Sequence, residues 1–171
     1  GDTYYVATNG SDGKTGSSGS PWQTIQHAAD TAKAGDTVLV HGGVYNEHVT
    51  FSKSGSPSGG PITFASAPGE MATLDGTGLG IPQHMWGLAT FNNASNVVLE
   101  GFEIRNYATN STRDVPIGIF VTGAGSGLQL VNNSVHDITT TAQTTPKKCN
   151  SNAFGITVYG TQAPAAIDGL A

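Results

Sequence analysis

One offset orders most of the second half of this chain. Sliding the sequence along itself by 31 residues lays Val97 on Leu128, Leu99 on Leu130, Ile104 on Val135 and Arg105 on His136. Around these positions, Gly118 to Ile138 reads GIFVTGAGSGLQLVNNSVHDI and Asn96 to Tyr107 reads NVVLEGFEIRNY. Both stretches alternate apolar with small or polar residues at period two. Both are cut by Gly and Asn clusters, which is the pattern of short strands joined by tight corners. A third copy begins at Phe154 with FGITVYGTQ and runs into AIDGLA. Strand-and-turn units repeating at roughly 20 to 50 residues cannot bury a core singly and must stack. The chain is therefore predicted to be an all-β solenoid of about three to four coils.

Composition supports this and narrows the function. With 171 residues the chain has room for one ordinary domain. Its 24 glycines and 11% charged residues suit many turns and few helices. The net charge of −5 gives no electrostatic case for binding nucleic acid or an anionic membrane surface. No apolar run approaches the ~18 residues that a spanning helix needs. Cys149 is the single cysteine, so it makes no internal disulfide and reads as an inert thiol. The opening Gly1-Asp2-Thr3 reads as that of a processed chain.

The first part of the chain has a different plan. Thr3 to Thr8 is a predicted strand, followed by a Gly/Ser-rich loop over Asn9 to Ser20. Ser20-Pro21 predicts a helix start, with Ser as N-cap and Pro in the first turn. Trp22, Ile25, Ala28, Ala29 and Ala32 then fall on one apolar face, and Ala34-Gly35-Asp36 ends the helix. Residues 1–36 would be strand, loop and helix, and residues 37–171 the coils.

These segments resemble the N-terminal part of secreted right-handed parallel β-helix proteins, the pectate-lyase-like superfamily of polysaccharide lyases and relatives. YYVATNGSDG, PWQTIQHAADTAKAGDTVLVHGGVYNEHVTF and PITFASAPGEMATLDG carry the resemblance over about residues 3 to 76. It implies a capping helix on the first coil, a secreted protein, and activity on an acidic polysaccharide. It also implies calcium, although the long loops hold no Asp/Glu cluster to bind it. The third repeat stops at Ala171, in what should be its second strand. We expect the chain to be a fragment lacking C-terminal coils, or its open end to be covered by a second chain.

Two corners are long, Tyr107 to Pro116 and Thr139 to Ala153, and both lead into the first strand of the next unit. Long loops on one side of a rigid scaffold are where binding and catalysis concentrate. If Ile119, Val121, Ile156 and Val158 point inward, then Phe120, Thr122, Thr157 and Tyr159 point outward and form a candidate platform for sugar rings. β-Elimination at a uronate needs a base for the proton α to the carboxylate, and positive charge to stabilise that carboxylate. Lys147, Lys148 and Arg113 are the candidates, with Asp114 as a local ion-pair partner for Arg113. A glycosidase would use two carboxylates, but Glu100 meets Val131 in the next unit and no acid pair repeats. The alternatives are a non-catalytic carbohydrate-binding or surface-adhesion solenoid, or a truncated inactive fragment of a longer enzyme. Glu103 and Ser134 align, and Arg105 over His136 reads as a stacked surface pair. Tyr45, Glu47 and His48 read as structural, and Asn132-Asn133 as a corner satisfying turn backbone. Asn9, Asn93, Asn110 and Asn132 begin N-x-Ser/Thr sequons.

Overall fold

The computed structural model describes residues 1–142, 151–160 and 167–168. Apart from one short helix and one 3-10 turn (Pro82–His84), its regular structure is parallel strand. After β1 (Thr3–Val6) and α1 (Ile25–Thr31), the chain climbs in coils of three strands. The first coil is β2 (Thr37–Val40), β3 (Gly43–Tyr45) and β4 (Val49–Phe51). The second is β5 (Ile62–Ser66), β6 (Ala72–Asp75) and β7 (Met85–Asn92). The third is β8 (Val97–Glu100), β9 (Glu103–Thr109) and β10 (Val115–Gly123). A short β11 (Gly125–Ser126) leads to β12 (Gln129–Val131), β13 (Ser134–Thr140) and β14 (Phe154–Gly160), and β15 (Ile167–Asp168) pairs with β11.

Each coil gives one strand to each of three sheets, ordered β1-β2-β5-β8-β12, β3-β6-β9-β13 and β4-β7-β10-β14. The 31-residue offset is the pairing register itself. Leu99 faces Leu130, Ile104 faces Val135 and Arg105 faces His136. Inward positions therefore stack into apolar columns, such as Val38–Phe64–Leu99–Leu130 and Tyr45–Leu74–Ile104–Val135. The rings of Phe51 and Phe91 stack at 4.6 Å, and Phe64 meets Phe51 edge-on at 4.8 Å. Such aromatic pairs add to the stabilisation from burial alone.

The helix starts later than Ser20-Pro21 predicts. Trp22 donates its N–H to Tyr5 O and accepts from Ala7 N–H, so this segment pairs with β1 and stays extended. Thr24 is the N-cap, its hydroxyl accepting from His27 N–H. Asp12 accepts from Gln23 and Thr24 N–H, and Glu47 from Ile25 and Gln26 N–H. The first turn of a helix leaves N–H groups without helical partners, and these carboxylates supply them from distant segments. The structural role read for Glu47 follows from this. Ile25, Ala28 and Ala29 are buried in the same core cluster as the coils. Tyr45 is buried with its hydroxyl donating to His41 O, and burial pushes its pKa up to about 12.

In the first, third and fourth coils the corner between the first two sheets is two residues long. Gly101 and Asn132, one coil apart, both take the left-handed backbone, with φ of 73° and 52°. Glycine does so without cost and asparagine more easily than other residues. Next to Asn132, the Asn133 amide accepts from Phe102 N–H and donates to Leu99 O in the coil below. Asn133→Ala would strip both partners from the lower corner. We expect it to lower the free energy of unfolding by about 1–3 kcal/mol, read from urea denaturation.

Candidate functional site

The sheet β4-β7-β10-β14 is flanked by the long corners. Its inward residues are as expected on β10, where Ile119 and Val121 belong to the core. Phe120 alternates with them and lies edge-on to Trp86 at 5.8 Å. It is only 3% exposed, and Thr122 is also buried. Neither offers a free surface to a sugar ring. The alternation sets the side of the sheet, but packing outside the sheet decides whether that side meets water. On β14, Thr157 is half-buried and Tyr159 is 56% exposed. Ile156 and Val158 continue the inward columns below them, yet they are exposed, because β14 is the terminal strand of its sheet among the described residues. Lys147, Lys148 and Cys149 lie outside the described residues.

Arg113 is exposed, and its backbone N–H donates to Ser111 Oγ. The expected ion pair with Asp114 does not form. Asp114 instead meets Nδ1 of His84 at 2.7 Å, a residue brought across from the preceding coil. Arg113 lies in a turn that Asp114 N–H closes on Ser111 O, and His84, one coil away, is the neighbour the Asp114 carboxylate meets.

The structure adds a groove that the sequence reading missed. It encloses about 790 Å³ between the 76–81 loop and the outer ends of β9 and β13. Asn106, Thr109, Asn110 and Thr139 present amides and hydroxyls to it, and Asp114 and Asp137 present carboxylates. Leu79 and Ile81 form an apolar edge. Amides, hydroxyls and carboxylates can hydrogen-bond a polyol, and an apolar edge suits the C–H face of a sugar. The available signal was the Gly-Thr-Gly-Leu-Gly run at 76–80, a close-approach loop with no helical or strand period.

Beside the groove runs a charged network. Arg105 Nε lies 2.9 Å from Asp75 Oδ2, and Arg105 Nη1 lies 3.4 Å from Glu103. Glu103 also accepts from the Thr73 hydroxyl at 2.8 Å and meets His136 Nε2 at 2.8 Å. Arg105 and His136 are thus not a simple stack, because both converge on Glu103. The Thr73 hydroxyl and then His136 hold Glu103 below the usual carboxylate range. Burial works against the ionised form of Asp75, but hydrogen bonds from Thr77 and Arg105 outweigh it and hold its carboxyl well below the usual range. Among the described residues no group of three or more His, Cys, Asp or Glu side chains could hold a metal ion. The described residues thus offer calcium no cluster of carboxylates to bind it.

These placements separate packing from binding. Phe120→Ala should cost about 3 kcal/mol of stability, as for a buried aromatic. Tyr159→Ala should stay within about 0.5 kcal/mol of the parent, as for a surface change. Urea unfolding of the two variants checks both.

With the geometry in place, comparison with known proteins is informative. Residues 4–165 match the family described as "Pel9A-like, right handed beta helix region". The chain is 33% identical over 142 residues to the uncharacterized protein YwoF of Bacillus subtilis (strain 168), covering 83% of this chain and 30% of that protein. It is 36% identical over 98 residues to pectate lyase PEL9 of Emericella nidulans, covering 56% of this chain and 23% of that enzyme. It therefore spans under a third of the curated relatives it matches. In structure it overlays on GH136 lacto-N-biosidase from Eubacterium ramulus with a TM-score of 0.71 at 17% identity, covering 99% of this chain and 34% of that one. At that identity the overlay speaks for the fold alone. Repeat, register and family match agree, and the chain belongs to the Pel9A-like right-handed parallel β-helix family.

Proposed function

We propose that this chain belongs to a secreted protein that acts on polysaccharide, and that the whole protein is a lyase cleaving a uronate-containing polymer by β-elimination. One observation carries the reading: the chain matches the Pel9A-like family over residues 4–165 and is 36% identical over 98 residues to a pectate lyase. In such a reaction a base removes the proton α to the uronate carboxylate. The glycosidic C–O bond at the adjacent carbon, β to the carboxylate, then breaks, its oxygen leaves as a hydroxyl on taking up a proton, and the new C=C bond leaves an unsaturated sugar at the new end. Lys147, Lys148 and Arg113 are the residues of this chain proposed for base and cation. Tyr159 and Thr157 are proposed to contact sugar from the β14 side.

A second reading is a non-catalytic carbohydrate-binding β-helix. The groove of amides, hydroxyls and two carboxylates favours it, since no Lys or Arg lines that groove among the described residues. The reactions are separable in one assay. Incubated with polygalacturonate, a lyase raises ultraviolet absorbance as unsaturated ends accumulate, and Lys147→Ala with Lys148→Ala lowers that rate at least tenfold. New reducing ends without absorbance would overturn the lyase reading in favour of hydrolysis. Retardation in a polysaccharide-containing gel with neither signal would overturn it in favour of binding.

A further inference from the structure

His136 on β13 lies between two carboxylates, one at each ring nitrogen. Nε2 is 2.8 Å from Glu103 Oε1 on β9, and Nδ1 is 2.7 Å from Asp137 Oδ2. A neutral imidazole has one N–H donor and one lone pair. Were His136 neutral, one of these carboxylate oxygens would face that lone pair at hydrogen-bond distance with no proton between them. Only the imidazolium donates to both.

The surrounding charge points the same way. Facing the ring are Glu103 and Arg105 from β9 and Asp137 from its own strand, while Asp75 on β6 is engaged by Arg105. Three carboxylates are balanced by one permanent cation until the histidine takes a proton. The other histidines beside carboxylates use a single ring nitrogen each, His41 toward Glu70 and His84 toward Asp114.

The position is also mechanically placed. Asp137 has a left-handed backbone with φ of 54°, and Asn106, its counterpart one coil below, has φ of 56°. Both lie where their strands bend into the groove wall. At the lower bend, Asn106 is held by a neutral amide donating to Asp75 Oδ2. At the upper bend, the corresponding restraint is the His136 ring on Asp137.

We propose that His136 is a proton-operated clamp on the groove. As imidazolium it fastens β13 to β9 through Glu103 and holds the Asp137 carboxylate against the strand. On losing its proton it releases one carboxylate, loosens the fourth coil on the third, and adds unneutralised negative charge to the groove wall. The cluster carries one net negative charge with His136 protonated and two without, and such a change is a common way for histidine to convert pH into conformation.

The sign follows from the contacts. Asp137 and then Glu103 raise the His136 pKa above that of an ordinary histidine. Its contribution to stability is therefore complete below the ordinary histidine value of about 6.5 and fades as pH rises through the raised value. Glu103, held low, contributes above the ordinary glutamate value of about 4.3 and fades as pH falls through its lowered one. The clamp is fullest between the two, at about pH 5 to 6.5. Asp137 is 67% exposed, so water and salt screen its share.

The test needs no substrate, so its failure and the failure of the lyase reading are distinguishable. Nitrogen-15 spectra of the histidine-labelled protein are recorded across pH, and His136 is assigned by its absence in His136→Gln. We expect both ring nitrogens protonated at pH 6 and a midpoint above that of an ordinary histidine. Glu103→Gln and Asp137→Asn should each lower that midpoint. The fall in the urea midpoint from pH 6 to pH 8.5 should be larger in the parent than in His136→Gln. A ring with one unprotonated nitrogen at pH 6, a midpoint at or below the ordinary value, or the same pH dependence in parent and variant would each overturn the clamp. If His136→Gln does not fold, His136 is assigned through its bonds to Val135 and Asp137 in the uniformly labelled parent, and the ring titration of the parent and of Glu103→Gln still decides.

Discussion

Everything in this chain depends on like residues stacking on like positions along parallel strands. A single coil here has three short strands and exposes both its upper and lower faces. It becomes stable only when the next coil places a Leu on a Leu, or a Phe on a Phe, one strand spacing of about 4.8 Å above. The Phe51–Phe91 stack and the Leu99–Leu130 pair are the visible result. The corners must then repeat as faithfully as the strands, since a slip of one residue would send every inward side chain to the surface. Asn133, bonded to both Phe102 N–H and Leu99 O, fixes that register at the sharpest corner.

The same constraint explains what could be read from the sequence. Register was legible because stacking demands like on like, and 31 residues recover the uppermost strand pair of two sheets, β8 with β12 and β9 with β13, from sequence. The Asn132-Asn133 corner was legible because left-handed backbone narrows the choice of residue. The helix start was not. Ser20-Pro21 is a sound local start signal, but the backbone groups of Trp22 were already engaged by β1, a partner 17 residues away at Tyr5. Tertiary hydrogen bonds overrode a local preference of at most about 2 kcal/mol.

The candidate site was less legible than the fold, for a related reason. Alternation along β10 gives the side on which Phe120 lies, and that side is right, but its burial depends on contacts such as Trp86 that alternation does not describe. The charged network joins residues about one coil apart, as in Asp75 with Arg105 and Glu103 with His136. Aligning Arg105 on His136 came near it. Seeing that both converge on Glu103 required knowing that side chains lean across the sheet as well as stack along it. The groove was hidden for the same reason, since its walls come from three successive coils.

Along β4, β7, β10 and β14, Val49 pairs with Ala89, Ala89 with Ile119 and Ile119 with Ile156, in steps of 40, 30 and 37 residues. The two sheets joined by the tight corner keep a step of 31 in their upper coils. Length therefore varies most at one vertex of the triangle, while the tight corner keeps two residues in three of the four coils. A residue gained or lost at the variable vertex changes the wall beside the groove but leaves the strand phase intact, because each strand re-registers on the one beneath it. Natural variation can thus reshape what this protein touches while leaving untouched what makes it stand.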